Sequence, residues 1–140
     1  MQANAYLMFN GDCEEALRYY AKVTGGTIEA MMPHRGTPAE AQTPEEWRDK
    51  IIHARLKIGD TIVMASDAPP GHQHKETAGF SICLRVDSDA DAERIFAALA
   101  DGARATGMPM GPTFFASRFG MVTDRFGTPW MVIHEKKSGT

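Results

Sequence analysis

The stretch Val122-Thr123-Asp124-Arg125-Phe126-Gly127-Thr128-Pro129-Trp130-Met131-Val132-Ile133 decides how this chain folds. It reads as the end of one strand, a tight polar turn closed by Gly127, and a last apolar strand. Leu56-Lys57-Ile58-Gly59-Asp60-Thr61-Ile62-Val63-Met64 has the same build. Each hairpin lies downstream of a strand that runs into a capped helix. In the first half, residues 5–9 form an apolar strand ending at Asn10-Gly11. Asp12 then stands as a helix N-cap, with Glu15 three residues on in a capping-box arrangement. Cys13, Ala16, Leu17 and Tyr20 form a helical stripe, Gly25-Gly26 stops it, and residues 27–32 form the second strand. In the second half, residues 80–86 read as a strand, with Ile82, Leu84 and Val86 on one face. Ser88 caps a helix with the stripe Ala92, Ile95, Phe96 and Leu99, and Gly102 ends it. A weak strand at 103–108, a turn at 109–112 and a hairpin of 114–123 with 128–135 complete the half. The chain is one βαβββ unit written twice.

With 140 residues, 43% hydrophobic and 24% charged, the chain suits a single globular domain. Its modules span about 4–67 and 78–136, joined by a linker at 68–77 rich in Pro, Gly and His. The net charge of −3 supplies no clustered Lys/Arg excess for nucleic acid or an anionic membrane. No apolar run approaches the roughly 20 residues that span a bilayer. Cys13 and Cys83 make no disulfide framework and suit a reducing compartment, so a soluble, cytoplasmic protein is expected. Residues 33–50 carry Pro33, Gly36, Pro38 and Pro44. They read as a long loop with one helical turn near Trp47, which either closes over a ligand or anchors the loop.

Four segments carry a family resemblance when taken together and in order. They are Asn10-Gly11-Asp12-Cys13-Glu14-Glu15-Ala16-Leu17-Arg18-Tyr19-Tyr20, His53-Ala54-Arg55-Leu56-Lys57-Ile58-Gly59-Asp60, Met64-Ala65-Ser66-Asp67 and Val122 to Trp130. They resemble the PhnB-like branch of the glyoxalase/bleomycin-resistance/extradiol-dioxygenase superfamily, the vicinal oxygen chelate proteins. The resemblance covers about residues 5 to 135. It implies an α+β fold of two tandem βαβββ modules, a curved mixed sheet around a cleft with helices outside, and a homodimer. The same branch carries a demethylubiquinone methyltransferase label, but the chain shows no glycine-rich nucleotide-binding strand–turn–helix.

The resemblance also implies where a metal would sit, because metal-using members place a His or Glu on the first and fourth strand of each module. The matching positions fall near Ala5, Met64, Ser81 and Met131; a slip of one residue gives Tyr6, Val63, Ile82 and Trp130. None is a His or a carboxylate, and a thioether suits copper(I) better than zinc, nickel or magnesium. The expectation is a lost metal site and no cofactor.

Strand alternation gives that cleft an apolar lining of Leu7, Phe9, Ile62, Met64, Met131 and Ile133. Ser81, Cys83 and Arg85 form a polar strip, and His53, Arg55 and Lys57 share one face of their strand. The expected ligand-binding set is His53, Arg55, Met64, Ser81, Cys83, Arg85 and Met131, with the arginines able to fork onto a carboxylate or phosphate. No catalytic residue is assigned. Plain alternatives stand beside these roles: His53, Arg55 and Lys57 as a solvated strand face, Cys83 as a small core hydrophobe, His72 and His74 as linker residues. Cys13 sits at a helix N-terminus but has no histidine near it, and the nine methionines serve as flexible filler. Three functions follow. One is metal-free binding of a small organic ligand. The second is a metal-dependent lyase, isomerase or dioxygenase using displaced ligands such as His53, Asp67 or His134. The third is a sequestering protein of the bleomycin-resistance type.

Overall fold

A computed structural model of the chain describes residues 1–69, 75 and 77–136. His72 and His74 lie outside the described residues. The chain divides into two compact units, Met1–Lys75 and Glu76–Thr140. Unit 1 contains β1 (Tyr6–Phe9), α1 (Cys13–Thr24), β2 (Thr27–Pro33), β3 (Ile51–Ile58) and β4 (Thr61–Asp67). Unit 2 contains β5 (Ile82–Arg85), α2 (Asp89–Ala100), β6 (Ala105–Gly111), β7 (Ala116–Thr123) and β8 (Pro129–Glu135). The sheet orders are β1-β4-β3-β2 and β5-β8-β7-β6, and in each sheet the first pair is parallel while the others are antiparallel. The expected α+β fold of repeated βαβββ modules is present.

In unit 1, α1 buries Cys13, Ala16, Leu17 and Tyr20 against one face of its sheet, where Leu7, Phe9, Ala54, Leu56, Val63 and Ala65 are also buried. Gly25 closes α1 at φ 73°. Gly26 then brings the chain against β3, where a Cβ would stand 2.6 Å from the Lys57 carbonyl oxygen. The expected capping box does not form, since the Asp12 side chain makes no cap hydrogen bond. Asp67, at the end of β4 and in register with Phe9, takes that place. Its Oδ1 accepts the N–H groups of Gly11 (2.8 Å) and Cys13 (3.0 Å), and its Oδ2 accepts that of Ile51 (2.8 Å). A buried carboxylate on a neighbouring strand outcompetes the local one because it is already desolvated and fixed.

Unit 2 follows the sequence more closely at its helix. Ser88 Oγ accepts from Asp91 N at 3.0 Å, and Ala92, Ile95, Phe96 and Leu99 are buried. Gly120 of β7 lets the Phe96 ring lie on the sheet, for a Cβ there would meet that ring at 2.7 Å. Residues 109–111 are not a turn; they continue β6, which is an edge strand and therefore tolerates Pro109. The strands expected at 80–86 and 114–123 start later, at Ile82 and Ala116. Both β2 and β6 pair with two register shifts each.

Residues 34–50 hold two short 3-10 turns, Glu40–Gln42 and Glu45–Trp47, where one helical turn was expected. Arg35 gathers the loop, reaching Asp49 at 2.8 Å, Glu45 at 3.3 Å and Glu40 at 3.7 Å. Trp47 packs against the Gly11 and Lys50 positions, so it anchors the loop within unit 1.

Candidate functional site

Each sheet has one face covered by its helix and one that the helix leaves bare. Register shows which side chains share the bare face. In unit 1 they are Tyr6 and Met8 of β1, Ile62, Met64 and Ser66 of β4, and His53, Arg55 and Lys57 of β3, since Tyr6 is opposite Met64 and Met64 opposite Arg55. The expected lining residues Leu7 and Phe9 are instead buried under α1, and Ala5 has their parity. Tyr6 and Met8, 42% and 43% exposed, replace them. Asp12 does hold the N-cap position before Cys13, so the slip lies in the strand, whose parity is fixed by its pairing with β4. Tyr6 Oη lies 3.3 Å from His53 Nδ1, with the rings 5.9 Å apart. Arg55 faces Glu29 at 3.6 Å. The structure thus brings His53, Arg55 and Met64 together on one face, with Tyr6, named from the sequence only as the position one residue along from Ala5, beside them.

In unit 2 the bare face carries Cys83 and Arg85 of β5, Met131 and Ile133 of β8, and Phe119 and Met121 of β7. Ser81 precedes β5 and, with Met121 and Met131, lines a cavity of about 440 Å3 that also reaches Phe80 and Gly107. Arg85 Nε is bound to Glu135 at 3.0 Å, so an anionic ligand would have to displace that carboxylate. Cys83 is exposed and not the core hydrophobe of the plain reading, because it stands on the face opposite buried Leu84.

The displaced ligands of the metal-dependent reading have other work. Asp67 is committed to three backbone N–H groups. His134 Nδ1 donates to Asp89 Oδ1 at 2.7 Å, and Ser117 Oγ donates to the same oxygen at 2.6 Å. Among the described residues, no three His, Cys, Asp or Glu side chains are grouped to hold a metal ion.

The Asp89 carboxyl is held below its ordinary value by the Ser117 hydroxyl first and His134 second, with Arg118 adding to them. A carboxylate with a depressed folded value contributes stability that is present above its unfolded value and lost as pH falls through the folded one. The melting temperature should therefore drop more steeply below about pH 4 in the wild-type chain than in Asp89→Asn. Equal slopes in thermal melts at stepped pH would refute this.

A family model described as 3-demethylubiquinone-9 3-methyltransferase matches residues 2–133. The chain belongs to that family. Within this PhnB-like family, Protein YjdN of Escherichia coli (strain K12) is 32% identical over 148 residues, covering 100% of this chain and 99% of its own length. Among solved structures, protein PA1353 from Pseudomonas aeruginosa is 50% identical with a TM-score of 0.89, over 98% of this chain and 99% of that one. The PhnB protein from Bacillus cereus, 22% identical, superposes with a TM-score of 0.81 over 96% and 99% of the two chains, which speaks for the fold alone. A glyoxylase/bleomycin resistance protein/dioxygenase domain from Frankia sp. EAN1pec (16% identical, TM-score 0.66) and a fosfomycin resistance protein from Listeria monocytogenes (12% identical, TM-score 0.63) also share the fold.

The two thiols of this PhnB-like chain differ sharply. Burial, and after it the charges of Asp67, Asp12 and Glu14, push the Cys13 thiol far up, so the helix N-terminus does not make it a nucleophile. In native protein, a thiol reagent such as Ellman's should titrate Cys83 promptly and Cys13 only after denaturation. Two fast thiols would contradict the packing at the start of α1.

Proposed function

We propose that this PhnB-like protein binds a small, largely apolar organic molecule on the bare faces of its sheets, without the divalent metal used elsewhere in the superfamily. The observation that carries the reading is the cavity of about 440 Å3 in unit 2. Its size falls within the roughly 300–1,000 Å3 usual for small-molecule sites. Phe80, Met121 and Met131 offer it apolar contact, and Ser81 offers a hydroxyl. Cys83 and Arg85 in unit 2, and His53, Arg55 and Met64 in unit 1, are the remaining residues of the proposed binding set. The family name speaks of methyl transfer, which is left out of this reading. At the β1–α1 turn, the Gly11 and Cys13 N–H groups go to Asp67 and are followed by Glu14 and Glu15, an arrangement unlike a glycine-rich cofactor turn. A homodimer in the cytoplasm is part of the proposal.

The test is mass spectrometry of the purified chain, native and after solvent extraction, alongside elemental analysis. The expected result is a co-purifying organic molecule released by Met131→Lys, with manganese, iron, nickel and zinc well below one per chain. One tightly held divalent ion per chain would overturn the reading. Light scattering should report two chains per particle.

A further inference from the structure

Cavities of similar size on this chain differ in the charge of their linings. One of about 410 Å3 in unit 1 is lined by Asp12, Glu15, Arg18 and Lys50, among others. One of about 460 Å3 in unit 2 is lined by Arg85, Asp87, His134 and Glu135, with Val86. The cavity of about 440 Å3 in unit 2 has no Asp, Glu, Lys, Arg or His among the described residues that line it. Met121 and Met131, opposite one another on β7 and β8, give it one wall together with Thr123 and Pro129, the next pair of the same parity. Residues 77–81 add the Phe80 ring, 51% exposed, and β6 adds Gly107.

Gly107 is the telling residue of that lining. A glycine inside a strand weakens it, and it often marks a bulge or a place where a ligand comes close. Gly107 lies at an offset of β6, between Thr106, paired with Val122, and Met108, paired with Met121. Its backbone is not in the left-handed region, so the offset itself does not call for glycine. Crowding does not call for it either. A Cβ at 107 would stand 3.4 Å from the Met121 Cβ, where one at Gly120 would meet the Phe96 ring at 2.7 Å. All the atoms within 4 Å of that position belong to Met121, a residue of the cavity wall. A side chain built at 107 would therefore grow beside Met121 into the cavity.

We propose that this cavity takes an uncharged aromatic molecule and turns away anions and cations alike, with Gly107 setting how large a ring system it admits. The inference rests on the organic-ligand reading and narrows it. An ion seated there would give up its water and meet no opposite charge in the lining, a loss that a neutral ring does not suffer. The ring gains instead. Phe80 offers an aromatic partner, and the thioethers of Met121 and Met131 make favourable contacts with ring edges. Thr77, Ser81 and Thr123 add hydroxyls that suit a hydroxyl or carbonyl group on the ring. Arg55 and Arg85 do not line this cavity, and each already faces a carboxylate, Glu29 and Glu135.

The experiment is a fluorescence titration of the full chain with N-phenyl-1-naphthylamine, an uncharged probe that brightens in apolar surroundings. Bound probe is then displaced at neutral pH by 1-naphthol, which is uncharged, by the anion 1-naphthoate, or by the cation 1-naphthylmethylammonium. The naphthol should displace the probe at a concentration at least about tenfold below that of either ion, since the fused ring is shared and the desolvated charge is not. Gly107→Leu should weaken probe binding by about tenfold or more, the scale on which a filled apolar pocket discriminates. Its melting temperature should not fall, because it replaces the residue least suited to a strand. Gly111→Leu, on the same strand but outside the cavity and with no atom within 4 Å of its Cβ position, should bind the probe as wild type does. An ion that displaces the probe as well as naphthol would overturn the exclusion of charge, and this is read on wild-type protein without any variant. Gly107→Leu binding as tightly as wild type would overturn the role of Gly107, and no uptake of the probe would overturn both. The organic-ligand reading falls on a different result, one tightly held divalent ion per chain, and survives each of these.

Discussion

Replacing Asp67 with alanine is expected to lower the unfolding free energy by about 3–5 kcal/mol, the sum of several buried donors left without an acceptor. Asp67 is 3% exposed, and its two oxygens accept the backbone N–H groups of Gly11, Cys13 and Ile51 at 2.8–3.0 Å. These bonds tie the end of β1, the first turn of α1 and the start of β3 to the end of β4. Alanine would strand all three donors in a site already shut off from water, and each such donor costs on the order of 1–3 kcal/mol, with partial relief from relaxation. Asp67→Asn should recover part of the loss, because one amide oxygen can still serve the Gly11 and Cys13 donors while the NH2 group faces the Ile51 donor. Urea denaturation of the two variants checks the ranking. A loss below about 1 kcal/mol for alanine, near the mean worth of one ordinary hydrogen bond, would show that the carboxylate does not organise this unit.

The second large effect is expected at Asp124, which is 1% exposed and closes the β7–β8 turn. Its Oδ1 accepts Phe126 N at 2.9 Å and Thr128 N at 3.0 Å, while Oδ2 accepts the indole N–H of Trp130 at 2.8 Å. The first two bonds shape the turn and the third locks the largest fully buried side chain of the described residues to it. Asp124→Ala should cost about 3–4 kcal/mol by the same reasoning. It should also change the fluorescence of Trp130, which makes it distinguishable from a general loss of stability. Trp130→Phe should cost less than Asp124→Ala, since it keeps both turn bonds. If the tryptophan change proves the worse of the two, ring packing rather than the carboxylate holds the turn.

Asp67 and Asp124 also show what could be read from the residues and what could not. The turn at 124–128 is written locally: Asp, then Gly at 127, between two apolar runs, so its place was legible. The cap of α1 is not local. Asp12 and Glu15 satisfy a four-residue rule, yet the acceptor that wins lies 54 residues from Cys13 in sequence, and no spacing rule sees it. The parity of β1 is likewise fixed only by its pairing with β4, which puts Tyr6, and not Leu7, opposite Met64. The seven expected site residues fare differently. Strand alternation placed His53, Arg55 and Met64 on one face of unit 1, and Cys83, Arg85 and Met131 on one face of unit 2. It could not show that Arg85 already holds Glu135, nor that Met121 lies opposite Met131, because both depend on how separate strands align. Met108 was further hidden by the register shifts on either side of it.

Those shifts bear on how the molecule keeps to itself. The rims formed by β2 and β6 each hold a proline, Pro33 and Pro109, and each breaks its spacing twice. A foreign strand laid along either rim would meet a missing N–H and a stagger it could not follow. Two open-ended sheets in one chain would otherwise invite end-to-end growth into fibres, and these irregularities guard the β2 and β6 borders against it.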